Sequence, residues 1–223
     1  MIEIKPIEQD DIPGALASER ELRRQEPDET SRANGRIKTE RLTLRRVRAA
    51  DRADIRAIWA DAARSVYAQY DRPNDLDEPA VSRRIERWAS FADSCEHVFL
   101  AVCLQERVVG YLGLHAREEG YELGYCFHSD YHGRGYARES VAAVLEILRE
   151  KGVSRVTAGT ALNNTPSVRL LTALGFRLTG TETVSFYKDD AGRDITFTGG
   201  LYERMLASER PARLPTQPKI TEN

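Results

Sequence analysis

The sequence has few cysteines, and their spacing is not that of a metal site. The 223 residues include three cysteines, Cys95, Cys103 and Cys126. Their number is odd and no Cys-x-x-Cys pair occurs, so the sequence indicates neither a disulfide framework nor a zinc site. Cys103 and Cys126 fall inside predicted strands, where a free cysteine behaves as a small buried hydrophobe. We therefore expect a protein of a reducing compartment without a bound metal.

Long apolar segments and an excess of one charge are also missing. The longest apolar run, Val98 to Leu104, has seven residues, whereas a membrane-spanning helix needs about 18. The 33 Lys and Arg residues nearly balance the 35 Asp and Glu residues, for a formal net charge of −2. A nucleic-acid-binding protein usually carries a basic excess, and a secreted one begins with a basic and then an apolar segment. We therefore expect a cytoplasmic protein that binds neither nucleic acid nor membrane.

The composition along the chain divides it into three parts. Residues 1–36 form a charged arm, residues 37–206 carry periodic hydrophobic patterns, and residues 207–223 contain three prolines and few apolar residues. We predict that the middle part is the folded domain and that the C-terminal tail is disordered. Within the arm, residues 2–12 repeat the cadence of residues 42–55, either as a duplicated strand and helix start or as an unrelated amphipathic arm.

Hydrophobic periodicity predicts alternating strands and helices in the middle part. Seven strands are expected, three of them as an antiparallel meander and the last two as a terminal hairpin: 42–47, 97–104, 108–115, 121–128, 153–160, 183–188 and 195–202. Helices are expected to begin after Asp51, as an N-cap, and near Pro79, which suits the first turn of a helix. Two more follow the loop at residues 131–137 and the segment around Asn164.

Two glycines stand between the third meander strand and the helix that follows it. Gly133 and Gly135 allow backbone N–H groups to surround phosphate oxygens at a helix N-terminus. The alternative is a simple tight turn. Arg138 stands where a dinucleotide-binding fingerprint has a third Gly or Ala, and no Gly-Lys-Ser/Thr of a Walker A loop occurs. The pattern therefore indicates an anion-binding loop of another type.

The order of these elements resembles the GNAT superfamily of acyl-CoA N-acyltransferases. The resemblance spans residues 38–204 and is carried by His-Gly-Arg-Gly-Tyr-Ala at 132–137, Asn-Thr-Pro-Ser at 164–167 and Leu-Gly-Phe at 174–176. Glu-Leu-Gly-Tyr at 122–125 is similar to the branch of ribosomal-protein N-terminal acetyltransferases. The resemblance implies an α/β (α+β) GNAT fold, with a mixed, mostly antiparallel sheet of six to seven strands and about four helices.

The resemblance also implies how acetyl-CoA would bind as the cosubstrate. It would lie in an opening between the strands at 121–128 and 153–160, and backbone groups near Phe127 would pair with its pantetheine arm. The family usually has Gln or Arg where this chain has His132, which changes a side chain but not the backbone cradle. The residues expected to bind acetyl-CoA are Phe127, His132, Gly133, Arg134, Gly135, Tyr136, Ala137, Arg138, Asn164 and Ser167. Asn164 is alternatively only a good helix start.

Acyl transfer to an amine needs a base and an acid. A lysine amine has a pKa of about 10.4 and an α-amine about 7.7 to 8.0, so a proton must be removed before attack. Glu122 is the candidate base, with an ordinary strand salt bridge as the alternative interpretation; His115 and His128 are further candidates. Many GNAT relatives carry a Tyr as the acid where this chain has Leu171. We therefore take Ser167 as the candidate acid.

The sequence thus predicts an N-acetyltransferase that moves the acetyl group of acetyl-CoA to a primary amine by direct attack. The amine is a protein N-terminus or a small molecule. The alternative is a non-catalytic acyl-CoA-binding regulatory module. Because GNAT relatives often form dimers, a homodimer is also predicted.

Acceptor specificity is expected to come from the segment between the first two helices and from the last hairpin. The first segment holds an acidic run, Asp71, Asp75, Asp77 and Glu78, which either attracts a cationic amine or is a solvated loop. Nearby aromatic residues, Tyr67, Tyr70 and Trp88, either shape an acceptor pocket or pack in the core.

Overall fold

The structure, a computed structural model, describes residues 35–206. Over these residues the chain forms eight β-strands and four α-helices. The strands are β1 (Arg36–Lys38), β2 (Thr43–Arg46), β3 (His97–Leu104), β4 (Arg107–Arg117), β5 (Gly120–Phe127), β6 (Arg155–Ala161), β7 (Arg177–Lys188) and β8 (Asp194–Met205). The helices are α1 (Arg52–Ala62), α2 (Glu78–Ser90), α3 (Tyr136–Glu150) and α4 (Thr165–Ala173).

All eight strands belong to one sheet in the order β1-β2-β3-β4-β5-β6-β8-β7. Every neighbouring pair is antiparallel except β5 and β6, which are parallel and pair only at Tyr121 with Val156 and Glu122 with Thr157. The predicted fold class is confirmed, with one strand more than the six to seven expected. The additional strand is β1, whose three residues are too short for a periodic pattern to show.

Helices cover both faces of the sheet. The side chains of each strand point alternately to one face and to the other. On β5, Leu123 and Phe127 are buried in the cluster that α3 and α4 help to form. Cys126 packs on the other face, against the cluster built by α1 and α2. Glu122, four residues before Cys126, shares its face of the strand. The two faces of β5 therefore pack against two different hydrophobic clusters.

The helix starts follow the sequence in two cases and differ in one. Pro79 lies in the first turn of α2, and Asn164 caps α4, its Oδ1 accepting a hydrogen bond from the Ser167 backbone N–H at 3.3 Å. Asp51 occupies the N-cap position of α1 but makes no side-chain cap hydrogen bond there. Its carboxylate instead accepts two hydrogen bonds from Arg45, at 2.7 and 2.8 Å. The predicted cap is therefore wrong in detail, because the carboxylate accepts from Arg45 and, at 2.8 Å, from the Arg48 backbone N–H and not from the first N–H groups of α1.

Two of the predicted parts lie outside the described residues. These are the charged arm, of which only residues 35 and 36 are described, and the tail at 207–223. Within residues 35–206, no helix is long and apolar enough to cross a membrane. Over the same range, no group of three or more His, Cys, Asp or Glu side chains is arranged to hold a metal ion.

Candidate active site

A cavity of about 1000 Å³ lies where β5 and β6 separate. Its walls come from the diverging ends of these strands, the N-termini of α3 and α4, the segment between α1 and α2, and the β7–β8 hairpin. Because β5 and β6 pair at only two positions, the sheet is open beyond Glu122 and Thr157. The cavity therefore joins the two faces of the sheet.

The glycine loop forms one end of this cavity. Gly133 and Gly135 have φ angles of +71° and +80°, in the left-handed region that favours glycine. Gly135 is the N-cap of α3, and a Cβ added at Gly133 would meet nothing within 4 Å. The free N–H groups and the positive end of the helix dipole there suit an anion such as a diphosphate. His132, Tyr136, Ala137 and Arg138 also line the cavity, whereas Arg134 does not.

An ion-pair cluster that the sequence analysis missed holds this loop in place. Glu139, in the first turn of α3, accepts hydrogen bonds from the Arg41 backbone N–H at 2.8 Å, the Arg41 Nε at 2.7 Å and the Thr39 hydroxyl at 2.6 Å. The Arg41 guanidinium lies over the Tyr136 ring at 4.7 Å and donates to the Arg134 carbonyl at 2.9 Å. Burial alone would raise the pKa of Glu139, but these hydrogen bonds lower it. Arg41 therefore neutralises a carboxylate in the first turn of α3, beside the predicted phosphate site, and holds the loop backbone through the Arg134 carbonyl.

His132 ties the beginning of the loop to the end of β5. Its Nε2 lies 2.9 Å from the Phe127 carbonyl oxygen. The Phe127 ring packs on Gly110 of β4, where a Cβ would overlap the ring. The structure thus gives His132 a positioning contact with Phe127, the residue predicted to pair with pantetheine.

A pair of hydroxyl groups joins β5 to α4 inside the cavity. The Tyr125 hydroxyl and the Ser167 Oγ lie 2.7 Å apart, and either can donate. Burial raises the pKa of Tyr125 to about 12, with the hydrogen bond from Ser167 acting in the opposite direction. Leu171 is fully buried in the core and does not line the cavity. Tyr125 was missed as a site residue, although strand alternation places it on the same face as Phe127.

The structure agrees with both interpretations of Glu122 that the sequence left open, a residue at the site and a strand residue in a salt bridge. It lines the cavity at the point where β5 and β6 begin to separate. Its carboxylate also pairs with Arg117, and the exposed fractions of the two side chains are 16% and 51%. Because Arg117 is half exposed, solvent screens the pair and the stability it contributes is small. Glu122 remains a candidate base on the opposite face of β5 from Tyr125.

Neither alternative histidine lines the cavity. His115 is buried, its Nδ1 lies 3.0 Å from the Nδ1 of His97, and its Nε2 has no hydrogen-bond partner. Burial, with the nearby His97 and Arg117, lowers the pKa of His115 to about 4. His128 accepts a hydrogen bond from the Asp130 backbone at 3.3 Å and caps a short helical turn.

We expect His115 to make the protein less stable in acid. Its pKa is about 4 in the folded chain against 6.5 for an ordinary histidine, so the unfolded chain binds the proton first. Stability is then unaffected above pH 6.5 and falls as the pH drops towards 4, by roughly 2 to 3 kcal/mol. Urea unfolding at pH 7 and pH 4.5 should show a larger loss for the wild type than for His115→Gln. Equal losses in the two proteins would contradict this assignment.

The part of the cavity that was predicted to bind the acceptor, here called its acceptor end, is aromatic and contains one residue of the acidic run. Tyr67, Tyr70 and Trp88 line it, and Trp88 also packs in the core. Asp71 lines it as well, whereas the rest of the run does not. Glu78 lies outside, 3.4 Å from Arg52. The structure therefore separates Asp71 from the neighbouring acidic side chains.

Comparison with known proteins gives the family. The sequence profile of the family described as "Acetyltransferase (GNAT) domain" matches residues 41–177. An uncharacterised N-acetyltransferase, p20 of Bacillus licheniformis, is 26% identical over 146 residues, which is 64% of this chain and 82% of that protein. The chain belongs to the GNAT acetyltransferase family, as the sequence motifs predicted.

Solved structures share the fold. A ribosomal-protein-S5-alanine acetyltransferase from Vibrio fischeri superposes with a TM-score of 0.65 at 15% identity, covering 79% of this chain and 99% of that one. The acetyltransferase yncA of Salmonella typhimurium, described with its cofactor acetyl-CoA, gives a TM-score of 0.57 at 21% identity and covers 77% and 98% of the two chains. The first of these is named for the branch suggested by residues 122–125.

Proposed function

We propose that this chain is an N-acetyltransferase that moves the acetyl group of acetyl-CoA to the primary amine of a protein N-terminus or a small molecule. The observation that supports this most directly is the cavity at the β5–β6 opening. It connects an anion-binding helix N-terminus, a buried hydroxyl pair and a carboxylate. The family supports an acetyl-CoA-dependent transferase.

The residues around the opening fit the cosubstrate. The free edge of β5 near Phe127 offers backbone groups to an extended pantetheine arm, as an added strand would use them. The loop amides and the α3 dipole suit the diphosphate. The residues that we propose hold acetyl-CoA are Phe127, His132, Gly133, Gly135, Tyr136, Ala137, Arg138, Asn164 and Ser167. Arg134 is also part of this set through its backbone N–H, as predicted, although its side chain does not line the cavity.

The reaction that we propose needs no covalent enzyme intermediate. Bound acetyl-CoA supplies the acetyl group as a thioester. Glu122 removes a proton from the ammonium, directly or through water, and the free amine nitrogen bonds to the acetyl carbon while the carbon–sulfur bond breaks. A backbone N–H near Phe127 stabilises the negative charge on the carbonyl oxygen.

The departing thiolate takes its proton from the hydroxyl pair. Ser167 donates, Tyr125, 2.7 Å away, restores the serine proton, and the second proton that the nitrogen loses on becoming an amide returns to Tyr125 through water. With a pKa of about 12, the Tyr125 hydroxyl stays protonated at neutral pH. This pair supplies the general acid, in place of the Tyr that many GNAT relatives have at the position of Leu171.

We expect that removing either hydroxyl slows turnover. Ser167→Ala and Tyr125→Phe should each lower kcat by about 10- to 100-fold, below the full range of general acid catalysis because water can substitute. The double variant should be no slower than the worse single one, since both act in one relay. Thiol-release kinetics at saturating substrates measures this. Additive losses in the double variant would show that the hydroxyls act separately.

The experiment that tests the proposed function is a thiol-release assay beside a calorimetric titration with acetyl-CoA. Acceptor-dependent thiol release from a panel of primary amines and short peptides with free N-termini is expected. Binding without release would favour the regulatory module, and no binding of acetyl-CoA would overturn both functions. The cytoplasmic location and the homodimer stay predictions.

A further inference from the structure

The acceptor end of the cavity is lined by two groups of aromatic rings, here together called the aromatic hollow. It consists of Tyr70, Trp88, Phe99, Tyr111, Phe186 and Phe197, all of which line the cavity. Trp88 stacks on Phe99 at 4.4 Å and lies 5.1 Å from Tyr111. Across the cavity, Phe197 lies 5.2 Å from Tyr70 and 5.5 Å from Phe186.

Two distant segments of the chain build this hollow together. The segment between α1 and α2 carries Tyr70, and the β7–β8 hairpin carries Phe186 and Phe197. Tyr187 of β7 donates a hydrogen bond to the Ala68 carbonyl at 3.3 Å, which joins the segments. The rings of Tyr70, Phe186 and Phe197 are only half-buried. Aromatic surface left open in a cavity gains free energy when an apolar group covers it.

Asp71 lies at the edge of the aromatic hollow. Its carboxylate accepts a hydrogen bond from the Arg72 backbone N–H at 2.8 Å. Asp71 is exposed and lines the cavity. The protein atoms around it raise the pKa of its carboxyl, while the Arg72 N–H and the charges of Arg84 and Arg72 act in the opposite direction. Burial raises the pKa of Cys126 to about 12, and the charge of Asp71 adds to the shift. Asp71 lines the same cavity as Cys126 and Phe127 at the end of β5, where acetyl transfer is proposed.

The other charged groups at this end of the cavity are engaged. The Arg84 guanidinium lies 4.6 Å from the Trp59 ring centre and donates to Asn74 at 2.7 Å, and that of Arg72 lies 5.7 Å from the Phe186 ring. Asp61 accepts hydrogen bonds from the Ser129 backbone and hydroxyl, at 2.7 and 2.8 Å. The hollow thus places the Asp71 carboxylate beside a large apolar surface.

We propose that the acceptor is a primary amine with an aromatic or large apolar group, whose ammonium binds Asp71 while that group fills the aromatic hollow. This inference rests on the proposed function and names its substrate class. A ring beside a single positive charge matches both features, because aromatic faces attract cations and apolar groups alike. A polyamine would bring further positive charges for which the hollow has no partner.

The test compares amines that share the ammonium and differ in the ring. Thiol release with 2-phenylethylamine is expected to show a kcat/KM about 10- to 100-fold above that with propylamine, from burial of the ring. Spermidine should react no better than propylamine. Equal kcat/KM values for the two monoamines, with clear turnover, would overturn this inference and leave the proposed function standing.

Variants of the hollow separate substrate binding from catalysis. Asp71→Asn should raise the KM for 2-phenylethylamine about tenfold without changing the Kd of acetyl-CoA, and Phe197→Ala should remove most of the preference for the ring. Asp75→Asn is the matched control, since Asp75 lies on the same segment outside the cavity and should change neither value.

A binding measurement keeps the inference testable if no amine in the panel reacts. Calorimetry with 2-phenylethylamine and the protein saturated with CoA should detect binding that is lost in Asp71→Asn. Binding unchanged by Asp71→Asn, or no binding to the wild type, would overturn the inference. Failure of acetyl-CoA itself to bind would instead overturn the proposed function.

Discussion

Glu122→Gln is expected to lower kcat by about 10²- to 10⁴-fold, the range of general base catalysis, while the Kd of acetyl-CoA stays unchanged. Gln has the shape of Glu and its Oε1 still accepts from Arg117, so the pair at the start of β5 keeps its geometry. The amide cannot take a proton from the ammonium. Glu122 also faces away from Tyr125 and Phe127, so the acetyl-CoA side of β5 should be undisturbed.

Steady-state thiol release and calorimetry on the same preparation measure both quantities. Glu119→Gln is the matched control, because Glu119 lies in the turn before β5, pairs with Arg155 and does not line the cavity. The control should retain its kcat. A kcat of Glu122→Gln within threefold of the wild type would reject Glu122 as the base, whereas acetyl-CoA binding without thiol release in both proteins would favour the regulatory module.

The elements with buried, periodic side chains could be predicted from the sequence. The predicted strand at 97–104 matches β3 at both ends, because all its residues after His97 are apolar and a turn follows at once. The β7–β8 hairpin was predicted much too short. Most of the first half of β7 is exposed, so no hydrophobic alternation marks it.

The candidate site depends on contacts between residues far apart in the chain. Arg41 and Glu139 are separated by 98 positions, and Tyr125 and Ser167 by 42. No local sequence pattern therefore predicts either pair. The acidic run shows the same limit of prediction from local sequence. Its members look alike in sequence, yet only Asp71 lines the cavity. The glycine loop could be predicted because the two glycines that its backbone conformation requires, Gly133 and Gly135, lie close together in the sequence.

Trp59→Ala should produce the largest loss of stability, about 3 to 5 kcal/mol, as for other buried Trp or Phe residues cut back to Ala. Trp59 is fully buried between α1 and the sheet. Its ring lies 5.6 Å from Trp88, edge to face, and its Nε1 donates to the Tyr111 hydroxyl at 3.1 Å. The substitution leaves a large cavity and removes the donor from a buried hydroxyl, which adds a desolvation cost.

Urea unfolding followed by fluorescence and circular dichroism measures the change, with Val66→Ala as the control. Val66 is 75% exposed, so its truncation should change stability by less than about 0.5 kcal/mol. A loss below about 1 kcal/mol for Trp59→Ala would mean that the α1–α2 layer repacks freely. Because Arg84 stacks on Trp59 and lines the acceptor end of the cavity, Trp59→Ala that still folds should raise the amine KM more than the Kd of acetyl-CoA. The stability of this layer and the shape of the acceptor end therefore depend on the same side chain.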